Sequence, residues 1–179
     1  MPTKTRQYRG EEIRWRTLSQ DDRAWIDDNP RWKKWLAVPE FAGLVGLLLG
    51  IGGETVVPPM QLPPSRFWVN DFKQVVREGR FFPGKPVCMI EMAGCQCHRN
   101  VSALWEQNEG DMSIATGYAL SKDGRWRSHT WGVALEVLPC GDFDVVNPGG
   151  VVETTESRVC YFGYPLNDDQ AKRFWRANA

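Results

Sequence analysis

Apolar residues in the first half of the chain recur at helical spacing and are interrupted by prolines and glycines. Ser19 is placed to cap a helix over 20–28, with Asp21 and Asp22 in its first turn, and Asn29-Pro30 then breaks it. Pro30 can open the next helix, over 31–37. A third helix is expected over 39–49. The glycines and prolines of 51–64 read as a loop. Phe67, Trp68, Phe72, Val75 and Val76 then give a helix over 65–78, stopped by Gly79.

Beyond residue 85 the texture changes. An extended apolar run covers 86–92. A helix is expected over 100–107, with Val101, Leu104 and Trp105 on one face. Strands are expected over 114–121 and 125–138, joined by the hairpin signal Lys122-Asp123-Gly124. Asn147-Pro148-Gly149-Gly150 reads as a turn, followed by strands over 151–155 and 158–161. Asn167 and Asp168 can cap a last helix running through Trp175. Helices followed by strands define an α+β class: an antiparallel sheet of about four to six strands with helices packed on it. The length of 179 residues fits a single domain, a mainly helical part over 1–85 and a helix-plus-sheet part over 86–179.

Charge adds an exclusion. Lys plus Arg and Asp plus Glu both number 22, so no net field draws the chain to nucleic acid or anionic lipid. Neither nucleic acid nor a membrane is expected as a partner. The most apolar run, 41–51, is too short to span a bilayer and reads as a buried helix or a buried glycine-containing turn. The polar N-terminus has no signal-peptide pattern. The odd count of five cysteines does not look like a secreted disulfide framework. These features read as a soluble, cytoplasmic protein with reduced thiols, with export by a specialised secretion system left open. Nine tryptophans, several flanked by arginine or lysine, read mostly as core with Arg stacked at the edges.

Candidate chemistry is concentrated between Gly94 and Asn100. Cys97-His98-Arg99-Asn100 sits where a loop enters a helix, and a thiol there meets the positive end of the dipole and free N–H groups. The same N–H groups can hold an oxyanion. Gly94 is expected to let the backbone turn closely. A thiolate nucleophile needs a base and a group that orients the base. His98 is adjacent to Cys97, and i,i+1 side chains do not face each other on a helix, so it is set aside as a partner. His129 shares a strand face with Trp131 and Val133. Glu153, on the following strand, can hold the imidazole in the right tautomer. The expected roles are Cys97 nucleophile, His129 general base then acid, and Glu153 orienter; Asp142, Asp144 and Asn147 stand as alternatives for the third place. Gln96 and Asn100 are candidates for the oxyanion site, and Trp131 for substrate binding.

The pattern Cys97-His98-x-Asn100, His129-x-Trp131 and Glu153-Thr154-Thr155 resembles the papain-like cysteine hydrolase superfold, including its small bacterial peptidase and amidase branch. The resemblance covers roughly 94–164. It implies hydrolysis or acyl transfer at an amide, isopeptide or thioester bond of a peptide or protein substrate, with no cofactor and no metal. Two other readings use the same chain. Cys95, Cys97 and His98, with Cys88 nearby, have zinc-binding chemistry but lack the paired Cys-x2-Cys spacing. The Trp- and Arg-rich first half suits a non-catalytic interaction module. No phosphate loop follows Gly50-Ile51-Gly52-Gly53, and there is no Gly-x-Ser-x-Gly elbow or c-type haem motif.

Overall fold

The structure is a computed structural model that describes residues 2–63, 66–140 and 144–178; at 66–68, 140 and 144–146 the backbone alone is described. The fold is mixed α and β, with six helices and a mostly antiparallel sheet among the described residues. The chain divides into two compact units, one of residues 1–79 with 119–128 and the other of 80–118 with 129–179.

The first unit opens with a hairpin, β1 (Thr3–Tyr8) and β2 (Glu11–Arg16). Arg9 and Gly10 both have positive φ, 49° and 86°, which is the two-residue turn that matches strand twist. Ile13 and Trp15 point inward while Glu12, Arg14 and Arg16 stay exposed. This period-2 pattern was legible, but reading the first half as helical passes over it.

Three helices follow: α1 (Gln20–Asp28), α2 (Pro30–Leu36) and α3 (Pro39–Ile51). The Ser19 hydroxyl accepts from the Asp22 N–H at 3.0 Å, and Asn29 Oδ1 accepts from the Arg31 N–H at 3.0 Å. In α3, Phe41, Leu44, Leu48 and Ile51 are buried while Ala42, Gly43, Gly46 and Gly50 lie exposed, so the apolar run is a helix that buries its large side chains and turns small ones outward. No single helix among the described residues is long and apolar enough to cross a membrane.

The expected loop after α3 contains a short strand, β3 (Thr55–Val56), which pairs parallel with Arg125 and Trp126. Helix α4 (Arg66–Glu78) buries Phe72 and Val75, while Val76 is largely exposed. Ser65, where this helix was expected to begin, and the side chains of Phe67 and Trp68 lie outside the described residues.

Tryptophans fill this unit. Trp35, Phe41 and Phe72 form an aromatic cluster with centroids 5.2–5.9 Å apart. The indole N–H of Trp35 donates to Gln61 O, that of Trp126 to Gly52 O, and that of Trp15 to Glu54. Glu54 also pairs with Lys4 at 2.9 Å and with Arg23.

The second unit begins with β4 (Arg80–Pro83) and β5 (Val87–Met89), then α5 (Cys97–Gln107). The long strands β6 (Met112–Leu120) and β7 (Arg125–Ala134) come next along the chain, and their residues within 119–128 belong to the first unit. Their connection is the expected turn: Gly124 has φ 80° and Asp123 accepts from the Arg125 N–H. A small hairpin of β8 (Leu138–Cys140) and β9 (Asp144–Val146) precedes β10 (Val151–Glu153), β11 (Cys160–Pro165) and α6 (Asp168–Asn178). The expected single strand over 125–138 therefore ends at Ala134. The sheet order is β4-β11-β6-β7-β10-β5, and with β3 the sheet has seven strands, more than the sequence suggested. Two pairings depart from antiparallel: β5 runs parallel to β10, and β3 parallel to β7.

The backbones of β6 and β11 approach closely at Gly117 and Gly163. A Cβ on Gly163 would lie 2.2 Å from Thr116 O and 2.7 Å from the Trp131 ring. Gly163→Ala is expected to destabilise by about 3 kcal/mol, because neither backbone oxygen nor buried indole can give way. Gly43→Ala, whose Cβ would meet nothing within 4 Å on the exposed face of α3, is expected to stabilise by about 0.5 kcal/mol. Urea unfolding midpoints of the two variants check both signs.

Candidate active site

Strand register brings the imidazole and the carboxylate together. Val151 lies opposite Val133 and Val152 opposite Gly132, so Glu153 comes level with Trp131 and reaches diagonally to His129. His129 Nε2 and Glu153 Oε2 are 2.8 Å apart, with the residues 3% and 0% exposed. A carboxylate so deeply buried is costly unless every lone pair is used. Here Oε2 also accepts from the Tyr161 hydroxyl at 3.1 Å. Oε1 accepts from the Thr154 N–H at 2.8 Å and from the Thr155 N–H and hydroxyl, each at 3.1 Å. Trp131 and Tyr161 wall the imidazole, with ring centroids 6.3 and 6.1 Å from it at shallow interplanar angles.

The chain that leads to Cys97 is pinned to the same strand. The Ile90 N–H donates to Glu153 O at 2.9 Å and the Met92 N–H to Thr154 O at 3.0 Å. Asn100, buried in α5, donates its side-chain amide to Ala93 O at 2.7 Å and ties the loop to the helix. The backbone turn expected at Gly94 falls at Cys95, whose φ is 59°, uncommon for a residue with a side chain. Gln96 precedes α5, and its side chain makes no capping hydrogen bond to the helix.

Cys97 is half-buried, with two imidazoles beside it. Its Sγ is 3.2 Å from Nδ1 of His98, and it also interacts with His129 as hydrogen-bond partner and as charge. With Nε2 of His129 engaged by Glu153, Nδ1 is the nitrogen left for the thiol. Burial pushes the thiol up, but the hydrogen bonds and positive charge of His129, and then of His98, outweigh it and bring its pKa to about 5. Burial likewise opposes the charged imidazole of His129, yet its bonds and charge pairing with Cys97 and Glu153 raise its pKa. Glu153 is lowered: burial is overcome by His129 and by the Thr154 and Thr155 N–H groups. Burial and the Glu153 charge raise Tyr161, which keeps its proton as a donor.

The expected residues Cys97, His129 and Glu153 are therefore in one site. Of the alternatives to Glu153, Asn147 is exposed, while Asp142 and the side chain of Asp144 lie outside the described residues. Asn100 spends its amide on Ala93 rather than offering it to an oxyanion, and Trp131 is fully buried against the imidazole rather than open to substrate. Gln96 is exposed. His98, set aside on helix geometry, does contact the thiol: at the first turn no preceding turn confines its side chain, and it leans on Phe174. Tyr161 and Phe174 were missed altogether, since nothing local in sequence ties them to residues so far away.

Among the described residues, no group of three or more His, Cys, Asp or Glu side chains is arranged to hold a metal ion. Cys88 is buried and disulfide-bonded, which departs from the expectation of five reduced thiols and removes it as a thiolate ligand. Comparison with protein-family models, with curated proteins and with solved structures finds no match to this chain.

The shifted groups set a pH dependence of stability. Between about pH 5 and 6.5 the unfolded chain holds protons on both the thiol and the imidazole, while the folded site keeps only the imidazole's. Stability is expected to rise with pH across that window. Above 6.5 the folded imidazole keeps a proton that the unfolded one loses, which cancels the thiol's contribution and levels the curve. The lowered Glu153 adds stability that is lost at still lower pH, as pH falls through its folded value. Urea midpoints between pH 5 and 6.5 should slope upward in the wild type and lie flat in Cys97→Ser.

Proposed function

We propose that this chain is a cysteine-dependent hydrolase or acyl transferase that acts on an amide, isopeptide or thioester bond of a peptide or protein substrate. The observation that carries the reading is a buried imidazole held on one nitrogen by a fully hydrogen-bonded carboxylate, with a half-buried thiol beside it. The order of thiol, imidazole and carboxylate along the chain also resembles that of the papain-like superfold.

In this reading Cys97 is the nucleophile at the start of α5 and is a thiolate beside the His129 imidazolium. The thiolate attacks the acyl carbon, and the N–H groups at the start of α5 receive the oxyanion. The carbon–nitrogen or carbon–sulfur bond then breaks, and the leaving group takes the Nδ1 proton of His129. A water, or an acceptor amine in a transferase, gives a proton back to His129 as it attacks the thioester. The acyl–sulfur bond breaks and the thiolate–imidazolium pair is restored. Glu153 fixes the imidazole orientation and stabilises its charge throughout.

Cysteine-by-cysteine alkylation with iodoacetamide, read by mass spectrometry, tests the pair. Cys95 is free and more exposed than Cys97, so it is the internal reference for access. Cys97 is expected to react faster than Cys95 near pH 6, and His129→Ala to slow Cys97 by about 100-fold, a typical worth of a positioned base. If Cys97 reacts no faster than Cys95, the catalytic reading fails and a non-catalytic interaction module takes its place.

A further inference from the structure

The thiol has a second partner that the triad does not use. His98 Nδ1 lies 3.2 Å from Cys97 Sγ, although adjacent helical side chains ordinarily diverge. Its ring stacks on Phe174 of α6, with centroids 5.5 Å apart and planes 27° from parallel. This second contact comes from a different helix, so the ring direction follows from packing rather than from adjacency alone. His98 is exposed, whereas His129 is buried.

We propose that His98 is a positioning residue for the nucleophile, which donates from Nδ1 to the Cys97 thiolate on the solvent side while His129 holds it on the buried side. The proposal rests on the thiol chemistry described above. A half-buried thiolate with one donor keeps unsatisfied charge, and a second N–H donor stabilises it without taking a proton. Phe174 holds the donor in place, so little freedom is lost when the bond forms. The titratable groups around Cys97 are His98 of its own helix and His129 of β7, and behind His129 stand Glu153 of β10 and Tyr161 of β11; the side chain supplied by α6 is the uncharged Phe174.

The pH profile of Cys97 alkylation by iodoacetamide separates this role from a structural one. In His98→Phe, which keeps a flat ring against Phe174 but has no donor, the midpoint should move up by about one pH unit. Reactivity at low pH then falls about tenfold, while the rate at pH 8 stays within about twofold because the thiolate is fully formed there. His98→Asn, which keeps an N–H near the Nδ1 position, should restore most of the shift. An unmoved midpoint in His98→Phe makes His98 a bystander and overturns the proposal. So does a rate that falls equally at every pH, which reports damage to the site. A midpoint that moves only in His129→Ala sinks this inference and leaves the proposed function standing. A shift in His98→Phe alone, with Cys97 and Cys95 equally reactive in the wild type, does the reverse.

Discussion

The second unit is organised around one costly group, the buried carboxylate of Glu153. A carboxylate with no exposure survives in a protein only if donors replace all the water it has lost, and five do so here. Two of those donors are backbone N–H groups of the next residues and a third is the Thr155 hydroxyl, so the chain must turn away from β10 directly after Glu153. One is the Tyr161 hydroxyl, which requires β11 to lie within reach. The last is His129, which requires the β7–β10 register found here. A one-residue slip would send the imidazole and the carboxylate to opposite faces and leave the charge unpaired.

The same strand also places the thiol. The segment after β5 continues alongside Glu153 and Thr154, and Asn100 then clamps Ala93 to α5. Carboxylate, imidazole and thiol are thus held by one short stretch of backbone, which limits how far the site can loosen without breaking sheet hydrogen bonds. The lowered thiol follows from this. Burial alone would raise it, as it does at Cys160, where no partner opposes desolvation.

In the first unit, large aromatic residues fill the interior and their polar tips choose what they touch. Trp35, Trp126 and Trp15 each bury a wide ring and spend the indole N–H on a carbonyl or on Glu54. Glu54 gathers Trp15, Lys4 and Arg23, so one side chain joins the N-terminal hairpin, α1 and the loop before β3.

Local patterning determined much of this by itself. Caps at Ser19 and Asn29, the turn at Asp123-Gly124, the amphipathic α5 and the α+β class all follow from interactions within a few residues. The chemical types of the site, a thiol near a helix start and a histidine and a glutamate on separate strands, were legible for the same reason. The hairpin at Arg9-Gly10 was equally local and was passed over because the neighbouring helices dominated the pattern. Tertiary structure alone decided the rest. Pairing of β3 with β7 and of β5 with β10 joins short segments far apart in sequence, whose few residues carry no pattern of their own. The duties of Tyr161, Asn100, Trp131 and Phe174, and the approach of His98 to the thiol, depend on which strands and helices become neighbours. That is set by the whole set of packing and hydrogen-bond requirements at once, and no window of sequence contains it.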